Sequence, residues 1–156
     1  NLTTIKSFNN SFLIQSKDEL IFDKKKLRCV TKIKPTKKEM SEIEFAFNIC
    51  KHVKSNAIVL TKNFSTIGIG GGQPSRLDSC KIATQKARQF QPSKVKNSIA
   101  ASDAFFPFAD GIEKLVQSGV TAIIQPSGSI RDKEIIKFAN STNSILVFSK
   151  TRHFKH

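Results

Sequence analysis

The 156-residue chain has no Trp, no Tyr, a single Met and only three Cys, and its 12 Asp+Glu are outnumbered by 26 Lys+Arg. Each scarcity excludes something. No apolar run approaches the roughly 18 residues that a membrane-spanning helix requires, so no membrane partner is expected. No charged start is followed by an apolar stretch and a small-residue cleavage site, so no signal peptide is visible and a cytoplasmic location is expected. Cys29, Cys50 and Cys80 are odd in number and lack metal-ligand spacing; reduced, partly buried thiols are expected, with neither a disulfide frame nor a zinc site. The chain opens on Asn1 and not on Met, the mark expected of a piece of something longer.

What is abundant is lysine. The formal net charge is +14, and 21 of the 26 basic residues are Lys against 5 Arg. Phosphate readers lean on the Arg fork, and Phe alone, without Tyr or Trp, is a poor base-stacking inventory. Residues 1–55 carry 12 basic and 6 acidic side chains, residues 56–100 carry 7 and 1, and residues 101–156 carry 7 and 5. The last third is therefore close to neutral. This balance favours a solvated basic face or a site for anionic small molecules over nucleic acid. At 38% hydrophobic, the chain can bury one sizeable core.

Residues 1–34 read as irregular and strand-like, with Phe12-Leu13-Ile14 and Leu20-Ile21-Phe22 between polar runs. Thr36 and Glu39 form a capping box, opening a helix with the stripe Met40, Ile43, Phe47 and Cys50. Residues 57–61 and 66–69 read as strands, with Lys62-Asn63 as the turn between them. A glycine-rich turn, 70–76, feeds a helix capped by Ser75 and Asp78 and lined by Leu77, Cys80, Ala83, Ala87 and Phe90. A polar segment from 91 to 98 leads to a short strand at 99–101. Asp110 and Glu113 then cap a helix ending at Gly119, a strand covers 121–125, Ser129 and Asp132 cap another helix, and 144–148 is the last strand. Alternating apolar strands and helices predict an α/β fold, a three-layer α/β/α sandwich with a mixed sheet. In such sheets ligands sit beyond the carboxyl ends of the parallel strands, which points at the loops after Ile69, Ala101, Gln125 and Phe148.

Those loops have unusual compositions. Gly70, Gly71, Gly72 and Gln73 let backbone approach a ligand, although the stretch is neither a dinucleotide fingerprint nor a P-loop, and a plain strand-to-helix turn explains it as well. Phe105-Phe106-Pro107-Phe108, framed by Asp103 and Asp110, can form an aromatic clamp with a carboxylate at its edge, or a hydrophobic plug under a loop. Arg152-His153-Phe154-Lys155-His156 gathers two imidazoles, a guanidinium and a ring in five residues, a set suited to binding an anion and moving a proton. Lys51-His52 reads as helix punctuation.

Taken in order, these segments resemble the C-terminal part of the bifunctional purine-biosynthesis family that joins AICAR transformylase to IMP cyclohydrolase. The resemblance rests on residues 54–59, 67–76, 101–111, 124–132 and 152–156, clear from about residue 30 onward and looser over 9–29. It implies a cytidine-deaminase-like unit without zinc: residues 1–34 as a strand-rich lead-in belonging to the same unit, and residues 35–156 as the second subdomain of the transformylase. The cyclohydrolase domain and the first transformylase subdomain are then absent from this chain. The implied reaction moves a formyl group from the cosubstrate 10-formyltetrahydrofolate to the 5-amino group of AICAR, at a homodimer interface.

Carried over by position, the resemblance implies that Asn56 hydrogen-bonds the reacting amide and formyl region and that His156 positions or relays the proton. Phe105, Phe106 and Pro107 wall the AICAR and folate rings, and Asp110 meets the pterin N–H edge. Arg152 binds the AICAR phosphate and Phe154 packs on the imidazole ring. Gly70, Gly72 and Gln73 form the backbone turn beside the site, and potassium is implied near Ser55 and Asp103. The family usually has Ala at the place of Gly71, Met at Pro74 and Arg at Ala109; Ala109 removes a positive charge beside the folate. Nothing here matches the family's upstream Lys-His-x-Asn-Pro-Cys-Gly-like segment, so the chain alone is expected to be inactive, its partner being the missing N-terminal portion. The alternative from another class is a non-catalytic basic nucleotide- or RNA-binding α/β module.

Overall fold

The computed structural model describes residues 3–16, 18–19 and 22–156, without the side chain of Lys24. Leu20 and Ile21 of the expected strand-like lead-in lie outside the described residues. Strands β1 (Thr3–Phe8) and β2 (Ser11–Ser16) form a hairpin of their own, and a 3-10 turn at Lys24–Lys26 leads into β3 (Leu27–Cys29). Then follow α1 (Lys37–Cys50), β4 (Ile58–Lys62), β5 (Ser65–Gly70), α2 (Arg76–Phe90), α3 (Pro92–Val95) and β6 (Ser98–Ser102). The chain continues through α4 (Asp110–Ser118), β7 (Val120–Pro126), α5 (Asp132–Ser141) and β8 (Ile145–Ser149).

Six strands make one mixed sheet in the order β3-β8-β7-β6-β4-β5. β6, β7 and β8 are parallel, while β4 is antiparallel to both of its neighbours and β3 to β8. Strand periodicity splits the core into two layers. Ile58, Leu60, Ile123 and Leu146 face a cluster completed by Cys80 and Ala83 of α2, Leu115 of α4 and Ile135 of α5. Val59, Ala122, Ile124 and Val147 face the opposite cluster, closed by Ile43, Phe47 and Cys50 of α1. The result is a three-layer arrangement, with α1 on one face and α2, α4 and α5 on the other.

The capping box at the start of α1 is present, with Glu39 N donating to Thr36 Oγ1 at 3.2 Å and Thr36 N to Glu39 Oε2 at 2.8 Å. Several local expectations are corrected. The β4–β5 turn is Asn63-Phe64, both at positive φ (52° and 56°), because Lys62 pairs with Ser65 and belongs to the strand. Phe90 is 67% exposed, since α2 ends there, beyond its last buried residue Ala87. The polar segment after it contains α3, with Pro92 at the first helical position, where its missing N–H is not needed. Neither α4 nor α5 has a side-chain cap: Asp110 sits inside the first turn and accepts from Gly111 N, while Asp132 accepts from Gly128 N.

Candidate functional site

The sheet order brings the ends of β5, β6, β7 and β8 to one edge, together with the start of β4. Four loops and the segment after β8 therefore converge, although they are far apart in sequence. β5 ends in Gly70, where an added Cβ would lie 2.1 Å from Ser79 O, so only glycine lets the strand pass this close to α2. Gly72, at φ 68°, turns the chain so that its N–H donates to Lys54 O at 2.6 Å. The carbonyl of Gln73 then accepts from both the backbone and the side-chain amide of Asn56, at 3.3 and 3.0 Å.

Beneath this turn lies a buried polar network. Asp103 is 1% exposed and Arg76 8% exposed, and the Arg76 guanidinium meets both the Asp103 carboxylate and, at 2.9 Å, Ser102 Oγ. Its other nitrogen donates to Asn56 Oδ1 at 2.8 Å. Asp103 also accepts from Ser55 Oγ and from Ala57 N. A guanidinium can hold three acceptors at once because its donors form a rigid fork. The Asn56 amide is thereby fixed at both ends.

Arg76 and Ala57 N meet Asp103 Oδ1, while Oδ2 accepts from Ser55 Oγ, so the second carboxylate oxygen and the Ser55 hydroxyl keep lone pairs of the kind a potassium ion would use. Among the described residues no three His, Cys, Asp or Glu side chains gather into a metal-binding group.

Above the network a cleft of about 510 Å³ collects Asn56, Phe105, Phe106, Pro107, Asp110, Arg152 and Phe154. Phe106 is 1% exposed and closes the cleft from beneath, packed against Gly111, while its N–H donates to Gln125 Oε1 at 3.2 Å. Phe105 is half-buried, and Phe108 reaches solvent with Arg131 4.8 Å over its ring. The loop is thus both clamp and plug, one ring buried and the others presented.

The segment after β8 is stitched to the same edge, with His153 N donating to Asp103 O at 3.0 Å and Ser55 N to Lys155 O at 2.9 Å. Its side chains alternate. Arg152 faces the cleft with its guanidinium 4.4 Å over the Phe154 ring. His153 turns inward, 4% exposed, against Phe47 and Asp18. His156 is outside this cleft: it stacks on Phe154 at 5.4 Å and lines an adjoining cavity of about 340 Å³ under the hairpin. Of the two imidazoles of this segment, that of His153 is buried and that of His156 is exposed. Lys51 caps α1 and His52 O accepts from Lys155 Nζ at 2.9 Å, in keeping with punctuation.

The central role of Arg76 and Ser102 went unread in the sequence. The available signal was a rare Arg, one of five, directly after the glycine-rich turn.

Comparison with known proteins gives a consistent result. A sequence model of the family described as AICARFT/IMPCHase bienzyme matches residues 1–86. The chain is 48% identical over 157 residues to the bifunctional purine biosynthesis protein PurH of Bartonella henselae, covering 97% of this chain and 29% of that protein. It is 50% identical over 151 residues to the protein of the same name from Chlorobium phaeobacteroides, again covering 97% and 29%. The chain therefore spans about three-tenths of the length of these curated relatives.

Proposed function

This chain belongs to the AICARFT/IMPCHase bienzyme family, and from that membership we propose that it forms the second, cytidine-deaminase-like subdomain of an AICAR transformylase acting in purine biosynthesis. Residues 35–156 form the subdomain and residues 1–34 its lead-in. The larger enzyme is a cytoplasmic homodimer that also carries IMP cyclohydrolase activity. No helix among the described residues is long and apolar enough to cross a membrane.

The supporting observation is the convergence of Asn56, the 105–108 loop, Asp110, Arg152 and Phe154 on one cleft. Arg152 supplies a charge-assisted contact to the AICAR phosphate, and Phe154 packs on the imidazole ring by exchanging its stacking on His156 for it. Phe105, Phe106 and Pro107 give flat apolar walls to the folate, with Asp110 exposed at the rim to accept from its N–H edge. In the reaction the AICAR amine forms the new bond to the formyl carbon, the bond from that carbon to N10 of the folate breaks, and the amine proton passes to the leaving nitrogen. Asn56, fixed by Arg76 and Gln73, orients the formyl region, and His156 serves the proton. The upstream Lys-His segment of the family has no counterpart in this chain, so binding without turnover is the expected state of these 156 residues.

Calorimetry of this chain with AICAR and a folate analogue tests the reading. Binding is expected, and Arg152→Ala should weaken AICAR by about tenfold or more, since a hydrogen bond to a charged group is worth about 1.5–3 kcal/mol, while changing folate affinity far less. Equal losses for both ligands would remove Arg152 from its role, and formyl transfer by the isolated chain would overturn the expected inactivity. Absence of AICAR binding, with a steep salt dependence toward a short RNA, would favour the basic-module alternative.

A further inference from the structure

The terminal segment carries Arg152, Phe154 and His156, yet it forms neither helix nor strand. A chain end of this kind frays unless its backbone is tied down. Here it is tied on two sides. His153 N and Lys155 O turn toward the body of the fold, where they meet Asp103 O at 3.0 Å and Ser55 N at 2.9 Å. Phe154 O and His156 N turn toward the hairpin of β1 and β2, where both meet a single side chain, that of Gln15.

Every residue of β1 and β2 is exposed except Gln15, which lies opposite Thr4 in the hairpin. A primary amide offers a carbonyl acceptor and N–H donors side by side, the pair that a neighbouring strand would offer. Gln15 Nε2 donates to Phe154 O, and Gln15 Oε1 accepts from His156 N at 3.4 Å. Just beyond, Lys6 Nζ donates to His156 O. All of these bonds engage backbone of the terminal segment. They fix where the Phe154 side chain starts and leave its ring, with Arg152 over it and His156 stacked on it, free to exchange neighbours.

We infer that Gln15 is a positioning residue for AICAR: acting through the backbone of Phe154 and His156, it holds the terminal segment where Arg152 and Phe154 reach the ligand. The inference rests on the function proposed for the cleft and extends it to the hairpin, none of whose residues lines that cleft. Loss of the Gln15 amide enlarges the share of molecules whose terminal segment has left the site, and apparent affinity falls with the share that remains.

The test is calorimetry of the chain with AICAR and a folate analogue, in two variants. Gln15→Ala removes the whole side chain, whereas Gln15→Met keeps its length and packing and removes only the amide. Both should weaken AICAR by about three- to tenfold, the loss expected for one or two hydrogen bonds, while changing folate-analogue affinity less than about twofold. Carboxypeptidase Y, followed by mass spectrometry, supplies a readout without ligand: it should trim the terminal segment of Gln15→Met at least about threefold faster than that of the parent, because cleavage tracks the open population. Parent-like AICAR affinity in Gln15→Met, equal losses for both ligands, or unchanged trimming would overturn the inference. A parent chain that binds no AICAR would sink the function proposed for the cleft and this role with it; faster trimming would then leave Gln15 as an anchor of the segment alone.

Discussion

Arg76 joins Asp103, Ser102 and Asn56 through one guanidinium, so its loss would strand a carboxylate that is 1% exposed. Removing one partner of a buried ion pair costs about 3–5 kcal/mol, and urea denaturation of Arg76→Ala should show a loss of that size. Arg76→Lys should recover less than half of it, since one ammonium cannot reach all three acceptors. The exposed Lys81–Asp78 pair, held at 3.3 Å, provides the control: its removal should leave the midpoint nearly unchanged. Cys80 tests burial in another way. Desolvation pushes its thiol up to about 12, so the folded chain holds a proton that the unfolded chain releases near pH ~8.5. Its contribution is complete below the lower value and is lost as pH rises through the window to about 12; Cys80→Ala should therefore flatten the alkaline fall in stability. At this scale the sequence singles out Arg152 and Asp110, and both line the same cleft. It was unreadable for Arg76, whose partner lies 27 residues away and is brought to it only by the order of the strands.

The helices and strands were largely legible because each has a period. Ile43, Phe47 and Cys50 form the buried stripe of α1, and the alternation in β4 divides Ile58 and Leu60 from Val59. What the period does not encode is how closely two elements approach. β5 and α2 meet at Gly68 as well as Gly70: a Cβ on Gly68 would lie 2.1 Å from Ala83 O, a backbone atom that cannot step aside. Gly68→Ala should thus destabilise by about 1–3 kcal/mol or more through overpacking. Gly128 has nothing within 4 Å and only its φ of 116° to lose, so its Ala variant should cost about 1 kcal/mol. Chemical denaturation of the pair checks the ranking; a neutral Gly68→Ala would mean that α2 does not sit this close. Helix starts were the other weak point, since Asp110 and Asp132 look like caps but bond to Gly111 and Gly128 instead.

Over the whole molecule, the order of the strands gathers the 105–108 loop, Asp110 and Arg152 at one end of the sheet. Among the described residues the strands β1 and β2 pair only with each other, leaving Ile5, Phe12 and Ile14 exposed, while Gln15 on the other face holds Phe154 O and His156 N. The short edge strand β3 bears on how the chain finds this structure. Arg28 lies opposite Phe148, and Thr31 Oγ1 accepts from Leu146 N at 3.0 Å, so nearly the entire chain must be threaded before this edge can form. Closing so long a loop for three strand residues brings little reward early in folding. Thr31→Ala should therefore speed unfolding in stopped-flow experiments while leaving the refolding rate almost unchanged, and a slower refolding limb would place β3 in the folding nucleus. An edge that assembles last would set how long the native state survives more than how quickly it is reached.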